Sequence, residues 1–308
     1  MILNSILQAV GQTPLLKLQR LTAAHEARIL VKCEYLNPGG SVKIRPALNM
    51  IETAEREGLL KPDSIICEPT SGNQGIALAM IGACKGYRVV IVMPENMSQE
   101  RQSLIRAYGA EIVLTPAGKD IGEAIQNAKL KSEEIAADDA RVFLPKQFEN
   151  VHNPEAHYRT GQEILAELDA PVDLFVSGFG TGGTLSGIGR ALKERYPGCR
   201  IVCAEPENGA ILAGKPLGHH IQMGIGDGFV PPNLDTSLID EIYSVSDAAA
   251  VEAAHRLAKE EGLFVGVSSG TNLATALHFA AELGPQKTIV TILPDDGPRY
   301  LSLAEFRP

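Results

Sequence analysis

The 308-residue chain carries 28 basic against 37 acidic side chains, a net charge of −9. With no basic block and no interleaved aromatic run, that balance argues against a protein that follows nucleic-acid backbones. A chain of this length suits two domains that together bury roughly three quarters of the surface the unfolded chain exposes, and no apolar stretch reaches membrane-spanning length.

The start, Met1-Ile2-Leu3-Asn4-Ser5, lacks the basic region and cleavage pattern of a signal peptide, so a cytoplasmic protein is expected. The end at Pro308 carries no expectation of an appended regulatory domain. The first residue of chemical interest is Lys43, between the turn Asn37-Pro38-Gly39-Gly40 and a helix expected from about Pro46. A nearby helix N-terminus and Arg45 would favour the neutral, nucleophilic amine.

A strand expected at 64–68 leads into Thr70-Ser71-Gly72-Asn73-Gln74-Gly75 and a helix at 76–85, apolar nearly all round and therefore buried. Hydroxyl and amide groups at a helix start suit a carboxylate held by several donors. Plain helix capping by Ser71 or Asn73 explains the same residues.

Apolar runs at 88–93, 111–114, 141–144, 173–177, 200–204 and 288–293 alternate with helical stretches. That is the pattern of an α/β protein with largely parallel sheets. Between the run at 173–176 and a helix expected at 185–196 lies Gly180-Thr181-Gly182-Gly183-Thr184. Glycines there let successive N–H groups point at one anion, and the helix start adds attraction, so a phosphate fits without a cationic side chain. Two other readings remain. Gly178, Gly180 and Gly183 match a dinucleotide fingerprint, with Glu205 in the place of the ribose-binding acid, and a glycine turn can simply permit close helix packing.

Gly266-Val267-Ser268-Ser269-Gly270, between an apolar strand and a helix expected from about Thr271, has the G-x-S-x-G spacing of a hydrolase elbow. The chain order opposes hydrolysis, because His278 precedes Asp295 and Asp296 and no histidine follows them. Those two aspartates are expected to be solvated or structural. Cys33, Cys67, Cys84, Cys199 and Cys203 form no C-x-x-C pair and are expected to be reduced and packed. With the seven histidines they give no metal spacing, and no catalytic metal is expected.

Taken in order, Asn-Pro-Gly-Gly-Ser-Val-Lys, Glu-Pro-Thr-Ser-Gly-Asn, Gly-Thr-Gly-Gly-Thr and Ser-Ser-Gly resemble the cysteine synthase (O-acetylserine sulfhydrylase) family, nearly end to end from Gly11 to Leu301. The motif set is specific for fold type II pyridoxal-phosphate enzymes, the group that includes cystathionine β-synthase, and less so for the individual reaction. The resemblance implies a tryptophan synthase β-like fold of two domains, 1–147 and 148–308, with an early segment, about 12–35, crossing to the second and the cofactor in the cleft between them. It implies that Lys43 holds pyridoxal 5′-phosphate, Asn73 meets the ring hydroxyl, residues 180–184 cradle the phosphate and Ser268 faces the pyridine nitrogen. Thr70, Ser71, Asn73 and Gln147 would hold the substrate carboxylate.

By the same resemblance, Lys43 passes the cofactor to the substrate amine, removes the α-proton, the β-substituent leaves and a nucleophile adds. In the family, sulfide adds and cysteine leaves. A neutral Ser268 hydroxyl makes the ring a weaker electron sink than a carboxylate partner would, favouring elimination over transamination. The resemblance further implies a homodimer, and cysteine synthases dock the C-terminal tail of serine acetyltransferase; a non-catalytic member acting only as that partner is a separate reading, opposed by the retained Lys43.

Two positions depart from the family pattern. Gln74 stands where threonine is usual, placing a longer amide beside the substrate carboxylate. Asp227, in Gly224-Ile225-Gly226-Asp227-Gly228-Phe229, stands where the cysteine synthase pattern has alanine. A carboxylate there could repel hydrosulfide, bind a cationic group, or act as the base that delivers water or a larger thiol. The last would suit a cysteine β-lyase releasing sulfide or a condensation of the cystathionine β-synthase kind; a loop aspartate turned to solvent explains the residue as well. Ile44 and Pro46 also differ from the commoner context of the lysine, with no change of reaction attached.

Overall fold

The computed structural model describes residues 2–23, 26–70, 72–119 and 121–307. Its elements run, in chain order, β1 (Leu15–Lys17), β2 (Arg28–Lys32), α1 (Ile44–Arg56), β3 (Ile65–Pro69), α2 (Asn73–Lys85), β4 (Arg88–Pro94), α3 (Gln99–Ala107), β5 (Glu111–Thr115) and α4 (Ile121–Asp138). They continue with β6 (Val142–Phe143), α5 (His152–Glu167), β7 (Leu174–Gly178), α6 (Gly183–Arg195), β8 (Arg200–Pro206), β9 (Glu241–Val245), α7 (Asp247–Glu261), α8 (Val267–Leu283) and β10 (Thr288–Ile292). The chain forms two compact units, one of Met1–Val10 with Lys43–Asn153, the other of Gly11–Val42 with Pro154–Pro308.

The first unit holds a four-stranded parallel sheet in the order β5-β4-β3-β6. In β4, Val89 to Met93 are all buried, which is why a strand inside a covered parallel sheet reads as a continuous apolar run rather than an alternating one. Helix α2 packs on α1, α3 and β4, and its residues from Gln74 to Gly82 are buried on every side. It ends at Gly86, whose left-handed φ of +81° lets its N–H close back on the Gly82 carbonyl.

The second unit holds a six-stranded sheet in the order β1-β2-β10-β7-β8-β9, parallel except for the β1–β2 pair. Helix α8 packs across β10, β7, β8, β9 and β2, and against α7. Gly270 explains the closeness of the two helices: a Cβ there would lie 1.8 Å from the Ala250 carbonyl oxygen. Helix α7 is bounded by its own side chains, with the Ser246 hydroxyl accepting the Ala249 N–H and Gly262 closing the end at φ +74°.

Several expectations are corrected. Helix α1 begins at Ile44, ahead of Pro46, because a proline in the first turn lacks only an N–H that would have no intrahelical acceptor. Helix α8 begins at Val267, so Ser268, Ser269 and Gly270 lie inside its first turn rather than in a loop; Val265 makes only an isolated bridge to Asp296. Strand β6 is two residues, since Arg141 turns its N–H and guanidinium onto Asp139. Strands β1, β2 and β9 were not among the expected runs; β1 and β9 are sheet edges with exposed positions, which breaks the apolar signature. Of the two roles expected for Asp295 the structure shows the structural one: it is buried and accepts the Tyr300 hydroxyl. Cys84 is exposed near the end of α2, while the other four free cysteines are buried. Among the described residues no helix is long and apolar enough to cross a membrane.

Candidate active site

In the first unit, Lys43 is the residue at which α1 starts, half-buried, its carbonyl accepting the Ala47 N–H at 3.1 Å. The end of β3 carries the other candidates. Thr70 donates its N–H to Val92 and its hydroxyl accepts the Gly72 N–H; Gly72 is extended, and Asn73 opens α2. Ser71 lies outside the described residues. The loop therefore presents polar side chains at a helix N-terminus, where the first-turn N–H groups lack intrahelical acceptors. Gln74 is 1% exposed, and neither atom of its amide has a hydrogen-bond partner among the described residues.

Gln147 comes to the same strand end through a residue the sequence reading did not single out. Glu68, the fourth residue of β3, is 1% exposed and accepts the Lys146 and Gln147 N–H groups, each at 2.9 Å. Burial pushes its carboxyl up to about 7, against the lowering effect of those two N–H groups. On the other side the Asn153 amide donates to the Gln147 carbonyl at 2.7 Å. The available signal was a lone acid closing the apolar run Ile65-Ile66-Cys67 and opening the Glu-Pro-Thr-Ser-Gly-Asn motif.

In the second unit, residues 180–184 bridge the C-terminal end of β7 and the start of α6, and the geometry at Gly180 and Gly182 admits no side chain. A Cβ on Gly180 would lie 2.4 Å from the Gly224 carbonyl oxygen; Gly182 has φ +80°, and a Cβ on it would lie 2.7 Å from Leu234. Thr181 is buried, and its hydroxyl accepts the Gly183 N–H; the Thr184 hydroxyl is 3.3 Å from His157 Nε2. Glycine backbone and two threonine hydroxyls thus stand at the head of a helix, an arrangement suited to a phosphate.

Asp227 joins this loop. Gly226 donates its N–H to Phe179, and Asp227 Oδ2 stands 3.2 Å from the Cβ position of Gly180. Ser268, 4% exposed, lies one turn ahead of Asn272 on α8, so the two share a helix face. The Asn272 amide accepts the Gly178 N–H at 2.8 Å and donates to the Ile292 carbonyl at 2.9 Å, which fixes that face at the ends of β7 and β10. Asn272 was also missed; a single amide in an apolar helix was its only trace.

The rival readings lose their residues. Glu205 is fully buried, and its carboxylate accepts the Leu212 and Ala213 N–H groups at 3.0 and 3.2 Å, so it is spent on its own chain rather than presented to a ribose. Ser268 inside a helix is not the exposed nucleophile of a strand-to-helix elbow.

The family model described as pyridoxal-phosphate dependent enzyme matches residues 6–295. The chain belongs to the pyridoxal-phosphate-dependent enzyme family. Within that family it is 50% identical to a cysteine synthase of Staphylococcus aureus (strain Mu50 / ATCC 700699), over 97% of this chain and 96% of that one. Its fold matches an O-ureido-L-serine synthase with a TM-score of 0.94 at 44% identity, covering 99% of this chain and 96% of that one. It also matches a hydrogen sulfide-producing enzyme from Fusobacterium nucleatum with a TM-score of 0.92 at 41% identity, covering 97% and 100%. As a pyridoxal-phosphate-dependent enzyme the chain uses that cofactor, and the glycine backbone and threonine hydroxyls at the head of α6 are groups that fit a phosphate.

Proposed function

We propose that this enzyme carries out β-replacement on a serine derivative as a cysteine synthase, converting O-acetyl-L-serine and sulfide to L-cysteine and acetate. The observation that carries the reading is the glycine-rich loop at residues 180–184, where Gly180 and Gly182 tolerate no Cβ. Bound pyridoxal phosphate supplies an electron sink conjugated to the substrate α-carbon, which eases loss of the α-proton and of the β-substituent.

The chain's own residues divide the remaining work. Residues 180–184 would hold the phosphate, Asn73 the ring hydroxyl, and the neutral Ser268 hydroxyl would bond the ring nitrogen without supplying a negative charge. Thr70, Ser71, Asn73, Gln74 and Gln147 hold and orient the substrate carboxylate. Lys43 would hold the cofactor, and its amine, once free, would serve as the base that accepts the α-proton.

A second reading is favoured by Asp227, whose Oδ2 stands beside Gly180. A carboxylate there acts as a base for water or a larger thiol, giving release of sulfide from L-cysteine or condensation with homocysteine. The enzyme is read as a cytoplasmic homodimer, with the C-terminal tail of serine acetyltransferase as a further partner.

The test is to add O-acetyl-L-serine to the purified holoenzyme while recording the visible absorption of the cofactor, then to add sulfide and assay L-cysteine. A spectral change on the first addition and cysteine on the second are expected, and both are lost in Lys43→Ala. Full turnover by Lys43→Ala would overturn the reading; a response to L-cysteine but none to O-acetyl-L-serine would select the second.

A further inference from the structure

The Glu68 carboxylate is an uncommon way to finish a strand. A buried charge is costly unless it is paired or fully hydrogen-bonded, yet among the described residues no cationic side chain bonds to it. Its partners are two consecutive backbone N–H groups, one on each oxygen, from Lys146 and Gln147. The turn they hold is one the chain would not choose by itself, since Lys146 has φ +54°, a left-handed conformation that residues with a Cβ avoid. The Gln147 carbonyl is held from the other side by Asn153, and Glu149 and Asn150 return their N–H groups to the Lys146 carbonyl. Both peptide units flanking Gln147 are thus fixed, and the clamp stands two residues ahead of Thr70 on the strand that feeds the 70–73 loop.

We propose that Glu68 is a positioning residue for the substrate carboxylate, presetting the Gln147 amide relative to Thr70 and Asn73 by holding the strained 146–147 turn. This rests on the reading of Gln147 as a carboxylate ligand. A neutral or apolar residue would serve to pack the end of β3; what only a carboxylate supplies is an acceptor for both N–H groups. Without it the left-handed turn relaxes and Gln147 is no longer held for its ligand. The substrate then binds less tightly, while proton transfer at Lys43 is untouched.

The experiment compares KM and kcat of the holoenzyme, with O-acetyl-L-serine or, if that is the donor turned over, L-cysteine, for Glu68→Gln, Gln147→Ala and the double variant. Glutamine offers one acceptor oxygen and turns its NH2 toward the second N–H. Loss of one charge-assisted bond predicts KM raised about tenfold, with kcat changed less than about threefold and the cofactor absorption unaltered. In the Gln147→Ala background the same substitution should change KM less than about twofold, because the group it positions is gone.

Unchanged KM in Glu68→Gln, with KM raised in Gln147→Ala, overturns the proposal alone. Unchanged KM in Gln147→Ala overturns the reading beneath it and the proposal with it. Fully multiplicative effects in the double variant would make Glu68 a structural residue acting elsewhere. If Glu68→Gln fails to fold, Glu68→Asp keeps two acceptor oxygens drawn back by one methylene; a raised KM at unchanged cofactor absorption supports the proposal, and an unchanged KM overturns it.

Discussion

Asp227 and Gly180 are held against each other, the aspartate Oδ2 3.2 Å from the point where a Cβ on the glycine would stand. The contact brings a carboxylate to the loop proposed to bind the phosphate. It also explains why position 180 must be glycine, since the Gly224 carbonyl oxygen lies closer still, at 2.4 Å from that point.

Gly180→Ala should therefore weaken cofactor binding with little effect on the fold. The added methyl group meets backbone rather than a flexible side chain, so the loop must shift away from the geometry that aims its N–H groups at the phosphate. A loss of at least tenfold in pyridoxal phosphate affinity, about 1.4 kcal/mol, is expected in equilibrium titrations of the apoprotein. Unchanged affinity would mean that the phosphate is held elsewhere.

Asp227→Asn separates the two reactions the site could perform. If the carboxylate is the base that activates water or a larger thiol, sulfide release from L-cysteine should fall by about 10²-fold or more. Addition of sulfide to the acetylated donor, which needs no such base, should hold steady or rise as repulsion of an anionic nucleophile is relieved. Equal activities of Asp227→Asn and the parent toward every nucleophile would leave the aspartate without a catalytic role.

Glu68 makes stability depend on pH near neutrality. Burial raises its carboxyl from 4.5 to about 7, with Lys146 opposing and Glu149 reinforcing the shift. The folded protein thus keeps a proton that the unfolded chain releases, and the contribution is greatest below about pH 4.5 and is lost as pH rises through about 7, about 3 kcal/mol in all. Thermal unfolding of Glu68→Gln, which cannot titrate, should gain on the parent between about pH 5 and pH 8. Parallel pH profiles for the two proteins would refute the buried ionisation.

The cysteines offer a check on packing that is independent of chemistry at the site. Burial pushes the thiols of Cys33, Cys67 and Cys199 up to about 12 and raises Cys203 as well, whereas Cys84 is exposed. A thiol reagent near neutral pH should modify Cys84 rapidly in the native enzyme and the other four only on unfolding. Peptide mapping that found Cys67 or Cys203 labelled in the native state would contradict the buried strands.

The reading of residues 180–184 as a phosphate loop and of 70–75 as a donor-rich helix start came from sequence because both depend on near neighbours: glycines that free the backbone, an apolar strand before and a helix after. The α/β class was legible for the same reason, since buried parallel strands such as β4 and β8 leave unbroken apolar runs. Local pattern failed where packing overrode it. The Gly266 to Gly270 segment looks like a loop because it is rich in glycine and serine, yet it is helical from Val267, with Gly270 chosen for the approach of α7.

The sequence by itself determined the chemistry available: an amine at Lys43, bare backbone for a phosphate, neutral hydroxyls and amides for a carboxylate. Which distant residues meet was decided only in three dimensions. Glu68 reaches Gln147 across 79 residues of chain, Asn272 reaches Gly178 across 94, and Asp227 comes to lie on Gly180. Such contacts carry no local periodicity, because they are selected by how strands and helices pack once their apolar faces are buried, and a single acid or amide within an apolar run was their only mark in the chain.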